Sequence, residues 1–233
     1  MVSIRAPHDH THAHLMTVRV RAIDGRLPTG VVRALRFVGD DEALVAALRA
    51  GSPAAKAELC DRYSDHVLRV LARILGSDGE IADLHHDVFA RALSAIAGIK
   101  DPSALAGWLT IIAVNAARTR IKQRAMRRWL SFLPWNEVPE VAARAAPDEE
   151  IEALRRTYAV LDRLPTDERI VFSLRIIDGM ELTDVAGACG LSLSTVKRRL
   201  ARAEARFVAL AKKEPLLLEW LEGGDRWGSP SKA

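Results

Sequence analysis

Two stretches of apolar residues at three-and-four spacing, separated by a proline-bearing acidic stretch, restrict this chain to helices in two groups. The first begins near Asp41, where Leu44, Val45 and Leu48 line one face before Gly51, Ser52 and Pro53 punctuate. Leu59, Tyr63, Val67, Leu68, Leu71 and Leu75 then predict a second helix, closed by turn residues from Gly76 to Gly79. A third is expected from Glu80 to about Ile96. After the loop from Gly98 to Pro102, Ser103 is the expected N-cap of a long fourth helix ending near Arg128, with Leu105, Trp108, Leu109 and Ile112 facing inward. From Trp129 to Glu150 there are Pro134, Pro139 and Pro147, five acidic residues against a lone Arg144, and no sustained period. Periodicity returns with Ile151, Leu154, Tyr158 and Leu161 on one face. It breaks at Leu164-Pro165 and resumes through Ile170, Phe172, Leu174 and Ile177, with two shorter helices after that.

The expected fold is therefore all-α: two small helical domains, residues 40–128 and 151–214, joined by a flexible acidic linker at 129–150. Residues 1–39 are expected to be an N-terminal extension without fixed structure. There His8, His10, His12 and His14 alternate and would chelate a metal only if ordered, and Met16 is an alternative start. In the tail, 215–233, Leu216, Leu217, Leu218, Trp220 and Leu221 predict a short amphipathic turn that packs back or meets a partner, and the last ten residues are expected to be disordered. Aromatic residues at 5% suit thin Leu/Ala cores rather than sheet.

Several function classes are disfavoured at this level. The two cysteines, Cys60 and Cys189, lie inside apolar helical patterns, so neither a disulfide framework nor a metal pair is expected, and a reducing cytoplasm fits. No run reaches the 18 or so apolar residues of a membrane span, and arginines punctuate Val18 to Val38, against a secretory signal. There is no Ser/His/Asp or Cys/His motif, no Gly-rich phosphate loop and no HExxH, so neither an enzyme nor a cofactor is expected.

Residues 182–207 carry the sharpest local signal. An apolar stripe at Leu182, Val185, Ala186 and Cys189 is followed by Gly190 and a second stripe at Val196, Leu200, Ala203 and Phe207. Two helices meeting across a glycine that can take the left-handed conformation, with Ser192 placed to cap the second, make a helix-turn-helix. Ser194, Thr195, Arg198 and Arg202 project from the second stripe, flanked by Lys197, Arg199 and Arg206, with Glu204 the lone acid. Such a face can reach base edges in the major groove while its arginines hold phosphates. The plainer alternative is a solvated cationic face. Cys189 lies inward and reads as a small buried hydrophobe.

In the first group, Asp83-Leu84-His85-His86-Asp87-Val88-Phe89, Trp108-Leu109 and Ala113-Val114-Asn115 ahead of a basic helix end resemble region 2 of the extracytoplasmic-function sigma factors. Leu164-Pro165 and Thr195-Val196-Lys197-Arg198-Arg199-Leu200 are similar to region 4 of the same family, and the likeness spans roughly residues 41 to 213. It implies that region 2 grips the clamp coiled coil of the polymerase largest subunit and melts the minus-10 element, capturing an unpaired base, while region 4 binds the minus-35 element. An anti-sigma partner is implied in the same way.

On those positions the polymerase contacts are Asp83, Leu84, His86 and Asp87, the two aspartates lying four apart on one face with Leu84 and Phe89 supplying apolar contact. Lys100, Asp101, Ser103 and Asn115 match positions that read the minus-10 base. Arg118, Arg120, Lys122, Arg124, Arg127 and Arg128, with no acid among them, form a cationic rod suited to a phosphate backbone. Ser194, Thr195, Lys197, Arg198, Arg199 and Arg202 are the minus-35 contacts. The family usually has an apolar residue and a glutamine at His85 and His86, and often a basic or polar residue before the tryptophan, where this chain has Ala106 and Gly107. The rival reading is a dimeric helix-turn-helix repressor or activator, which would have no reason to carry the Asp83–Phe89 and Asn115 signatures.

Overall fold

The computed structural model describes residues 37–76, 79–131 and 148–222. The extension up to residue 36, most of the expected linker (132–147) and the last residues of the tail lie outside them. Among the described residues every regular element is helical: α1 (Asp41–Arg49), α2 (Pro53–Leu75), α3 (Ile81–Ala95), α4 (Leu105–Ser131), α5 (Asp148–Leu161), α6 (Thr166–Phe172), α7 (Leu182–Cys189), α8 (Leu193–Ala211) and α9 (Pro215–Glu222). Short 3₁₀ turns at Ile96–Gly98 and Pro102–Ala104 lead into α4, and a π-helical turn at Ser173–Ile177 follows α6.

The starts of these helices follow from their caps. Asp40 accepts from the Ala43 N–H at 2.9 Å and opens α1; Ser52 accepts from the Ala55 N–H with Pro53 in the first turn of α2. The expected cap at Ser103 is corrected. Asp101 is the capping residue, its carboxylate accepting from the Ser103 N–H (3.0 Å) and hydroxyl (2.6 Å). An aspartate followed by proline is the stronger start signal, so the chain turns one 3₁₀ turn earlier and α4 runs from Leu105.

Helices α1 to α4 enclose Leu44, Leu59, Leu71, Ile74, Leu105 and Leu109, all without exposure. Trp108 and Ile112 pack against this core and are only partly buried. Tyr63 donates to Asp41 at 2.6 Å and Arg62 pairs with Asp41 and Glu58, tying α1 to α2.

In the second group, the expected inward face of α5 holds at Leu161 but not at Leu154, which is exposed while Ala153 and Thr157 are buried; Val160 and Leu161 share a cluster with the Phe172–Phe207 stack (4.7 Å between ring centroids) and Leu217. The tail resolves to the packing-back alternative: Leu217 of α9 is buried in the same cluster as Val160, Leu161 and Ala211. The continuous helix expected through Ile177 is α-helical only to Phe172 and widens into the π turn.

The two groups are in contact. Ile170, Val171, Leu174, Val185, Ala186, Cys189 and Val196 belong to the same apolar cluster as the core of α1 to α4, and α7 and α6 pack on α4.

Candidate functional site

The helix-turn-helix forms as its sequence dictates. Gly190 ends α7 at φ +66°, ψ +39°, the left-handed conformation that glycine takes without a Cβ penalty. Two residues on, Ser192 caps α8: its hydroxyl accepts from the Thr195 N–H at 3.3 Å and lies 3.1 Å from Ser194 Oγ and 2.9 Å from Thr195 Oγ1. Both apolar stripes face inward, with Val185, Val196 and Ala203 fully buried. Burial pushes the Cys189 thiol up to about 11, which keeps it protonated and unreactive.

What remains outside is basic. Ser194, Lys197, Arg198 and Arg202 are exposed, with Thr195 and Arg199 half-buried beside them. Lys197 and Arg198 have no carboxylate partner among the described residues. Arg199 donates to Asp167 at 3.0 Å, and Arg202 and Arg206 lie 3.9 and 3.2 Å from the buried Glu168. The face thus has two open cations near the helix N-terminus and a row of anchored ones that fix its orientation on α6.

On the first group, α3 and α4 flank a cleft of about 390 Å³ lined by Glu80, Asp83, Leu84, Asp87, Arg91 and Arg120, among others. Glu80 is paired with Arg120 and Asp87 with Arg91 (2.7 Å), which leaves Asp83, beside the half-buried Leu84, as the carboxylate at its edge suited to a basic, partly apolar partner helix. His86 is exposed next to this surface, whereas His85 turns to α2, 3.0 Å from Ser64 Oγ, as the 100° step between helical neighbours requires. Burial, with the neighbouring His86, lowers the His85 pKa. The expectation for Phe89 is corrected: it is 5% exposed in the core, edge-on to His85, and cannot supply contact to a partner.

The basic end of α4 is divided by its partners. Lys122 is exposed. Arg120 and Arg124 both pair with Glu80, so they border the α3 cleft. Arg118 donates to Asn115 at 2.6 Å and to Asp167 of α6 at 3.2 Å. Asn115, Lys100, Asp101 and Ser103 are exposed, with Asp101 and Ser103 bonded to each other in the turn before α4. Sequence reasoning missed Glu80, Asp167 and Glu168. Glu80 has no signal beyond its place at the start of α3, and the other two sit together just after Leu164-Pro165.

Comparison with known proteins gives the following. The sigma-70 region 2 family model matches residues 59–127, and the sigma-70 region 4 model matches residues 154–207. The chain is 31% identical over 188 residues to the ECF RNA polymerase sigma factor SigM of Mycobacterium tuberculosis, covering 78% of this chain and 92% of that one. It is 28% identical over 191 residues to the RNA polymerase sigma-H factor of Pseudomonas aeruginosa (77% and 96%) and 27% identical over 172 to the ECF RNA polymerase sigma-E factor of Escherichia coli K12 (70% and 90%). Among solved structures it is similar in fold to CnrH in complex with the cytosolic domain of CnrY (TM-score 0.53, 24% identity, 75% of this chain and 98% of that). The sigma factor RpoE of Bartonella quintana, in complex with the anti-sigma factor NepR, is also similar (TM-score 0.52, 24% identity, 67% and 98%).

Proposed function

Since the chain belongs to the extracytoplasmic-function RNA polymerase sigma factors, which direct core polymerase to promoters, we propose how its own residues divide that task. The acidic rim of the α3 cleft, Asp83 and Asp87 with Leu84 and His86, docks on the clamp coiled coil of the polymerase largest subunit. Lys100, Asp101, Ser103 and Asn115 receive an unpaired base of the minus-10 element, and Arg118 and Lys122 carry its phosphates. Arg120 and Arg124, paired with Glu80, brace α3 on α4 and reach DNA only if they leave that acid. In the second group, Ser194, Thr195, Lys197, Arg198, Arg199 and Arg202 read the minus-35 element from the major groove.

The observation that supports this division best is the pairing, in one chain, of an open basic recognition helix with an acidic docking cleft on a separate helical group. A dimeric repressor needs only the former. The chain performs no chemistry in this reading and works in the cytoplasm; no helix among the described residues is long and apolar enough to cross a membrane. By likeness to the complexes named above, an anti-sigma partner covers its working faces until a signal arrives.

Run-off transcription from a promoter library tests the assignment, using purified core polymerase with and without this protein. Initiation should depend on the protein and be lost on Asp83→Ala, Asp87→Ala with the fold intact. Initiation that survives the double substitution would place the docking surface elsewhere.

A further inference from the structure

Three arginines of α8 meet acids of α6, and they do not meet them in the same way. Arg199 and Arg206 each turn a terminal guanidinium nitrogen to a carboxylate, Arg199 to Asp167 at 3.0 Å and Arg206 to Glu168 at 3.2 Å. Arg202 meets Glu168 through Nε, at 3.9 Å, which is too long for a hydrogen bond. Its side chain is half exposed, and its two terminal nitrogens bond to none of the described residues. Ala201 and Ala205, exposed beside it, are too short to screen them. Of the three, Arg202 alone can offer both terminal nitrogens without first breaking an ion pair.

Glu168 is the fixed member of this group. Its side chain is 9% exposed, and Oε2 is buried with no hydrogen-bond partner. A buried carboxylate is costly unless opposite charge lies close, so Arg202 and Arg206, one turn apart on α8, both draw on it. Arg206 takes the short contact, and what is left for Arg202 is a pull on Nε. That pull restrains the side chain without occupying its fork. A guanine edge is read by two N–H donors, to O6 and N7, and ordering a flexible arginine beforehand lowers the entropy lost when that contact forms.

We propose that Glu168 is a positioning residue for minus-35 recognition: paired with Arg206, it draws Arg202 by Nε to the α6 side of the recognition helix and leaves both terminal nitrogens free for a guanine. Glu168 touches no DNA in this arrangement and acts through Arg202. The inference rests on the assignment of Arg202 to the minus-35 element made above, and adds the residue that sets its aim.

The test offers core polymerase carrying the full chain a promoter library randomised across the minus-35 element, with transcripts reporting the preference at each base pair. The natural chain is compared with Glu168→Gln, Arg202→Ala and the two combined. Glu168→Gln keeps the size of the side chain and removes its charge. Discrimination at the one base pair read by Arg202 should fall about fivefold, the low end of what one bidentate contact contributes. The other positions should keep their preferences, and the double variant should match Arg202→Ala. If Glu168→Gln loses its helical circular dichroism, Glu168→Asp takes its place: the charge is kept, but the carboxylate is drawn back by one methylene from a contact already 3.9 Å long, and the same base pair should lose its discrimination. A loss spread equally over every promoter would mean that Glu168 only holds the fold, and overturns the inference. So does a preference that survives Glu168→Gln but is lost in Arg202→Ala, because Arg202 would then need no aiming. A preference untouched by Arg202→Ala overturns it at its premise, the assignment of Arg202, rather than at Glu168.

Discussion

Arg198 and Lys122 are both exposed cations on basic helices, yet their positions give them different work. Arg198 is in the second turn of the recognition helix with no carboxylate partner among the described residues, free to form a bidentate contact to a base edge. Arg198→Ala should cost about 1–3 kcal/mol at the preferred minus-35 sequence and relax the preference there. Lys122→Ala should weaken all promoters alike and lower the salt slope by about one. Binding measured against a minus-35 library at several salt concentrations separates them, and equal effects on every sequence would remove Arg198 from base reading. His66 is a third residue with a defined consequence. Its Nε2 is 2.8 Å from Thr110 Oγ1, whose proton is given to the Ala106 carbonyl, and Arg69 donates to Nδ1 at 3.0 Å. Every bond is made with the ring neutral. Burial, then the Arg69 charge, lowers its pKa from 6.5, with the Ala106 backbone and Asp178 opposing. The unfolded chain takes up the proton first as pH falls, so the stability this site contributes is full above about 6.5 and is lost as pH drops through the lowered pKa. Between about pH 7.5 and about pH 5.5 the urea midpoint should fall further for the natural chain than for His66→Gln; equal falls would mean that the ring is not held neutral.

Within the helix-turn-helix, the turn and cap can be weighed separately. Nothing lies within 4 Å of a Cβ built on Gly190, so Gly190→Ala meets only the left-handed backbone penalty, about 1 kcal/mol. Ser192→Ala should cost about 1 kcal/mol as well, and it also releases the Ser194 and Thr195 hydroxyls from their shared bond. Chemical denaturation of both variants checks the sum, and an unchanged midpoint for Gly190→Ala would show that the turn relaxes away from positive φ. These elements were legible in the sequence because their signals are local: a glycine after one stripe, a serine before the next, a proline in the first turn of α2. Side-chain partners across helices were not. Leu154 and Phe89 fit either side of a helical period, and which side is buried depends on the neighbour that lies there. Arg118, Arg120, Arg124 and Arg199 read alike as free cations, whereas Asp167 and Glu80 engage them only after α6 and α3 have come alongside α4 and α8. The same limit hid the contact between the two groups, since the residues that make it are far apart in sequence and each looks ordinary alone.

At the scale of the molecule, the question is whether the two helical groups melt together. A single apolar cluster includes Leu44 and Val196, and Arg169 binds α2 carbonyls from within the second group. Unfolding either group first would leave Val185, Leu174 and Ile74 without their neighbours, and would strip the partners from a guanidinium that burial already makes costly to keep charged. Cooperative unfolding follows when the interface contributes more than the difference in stability between the groups. A thermogram of the natural chain should therefore show one transition over the described residues. Arg169→Met keeps much of the apolar stem but removes the charge facing Asp162 and the donors to Ile74 and Leu75, a loss on the order of 3–5 kcal/mol for a broken buried pair. That is a large share of the total stability of a chain this size, and it falls on the interface rather than on either core. The variant should accordingly melt in two steps, with circular dichroism reporting helix in both. Two steps in the natural chain would mean that the groups are thermodynamically separate and touch without coupling. One lowered step in the variant would mean that the apolar cluster alone holds them together, with Arg169 contributing stability but not cooperativity.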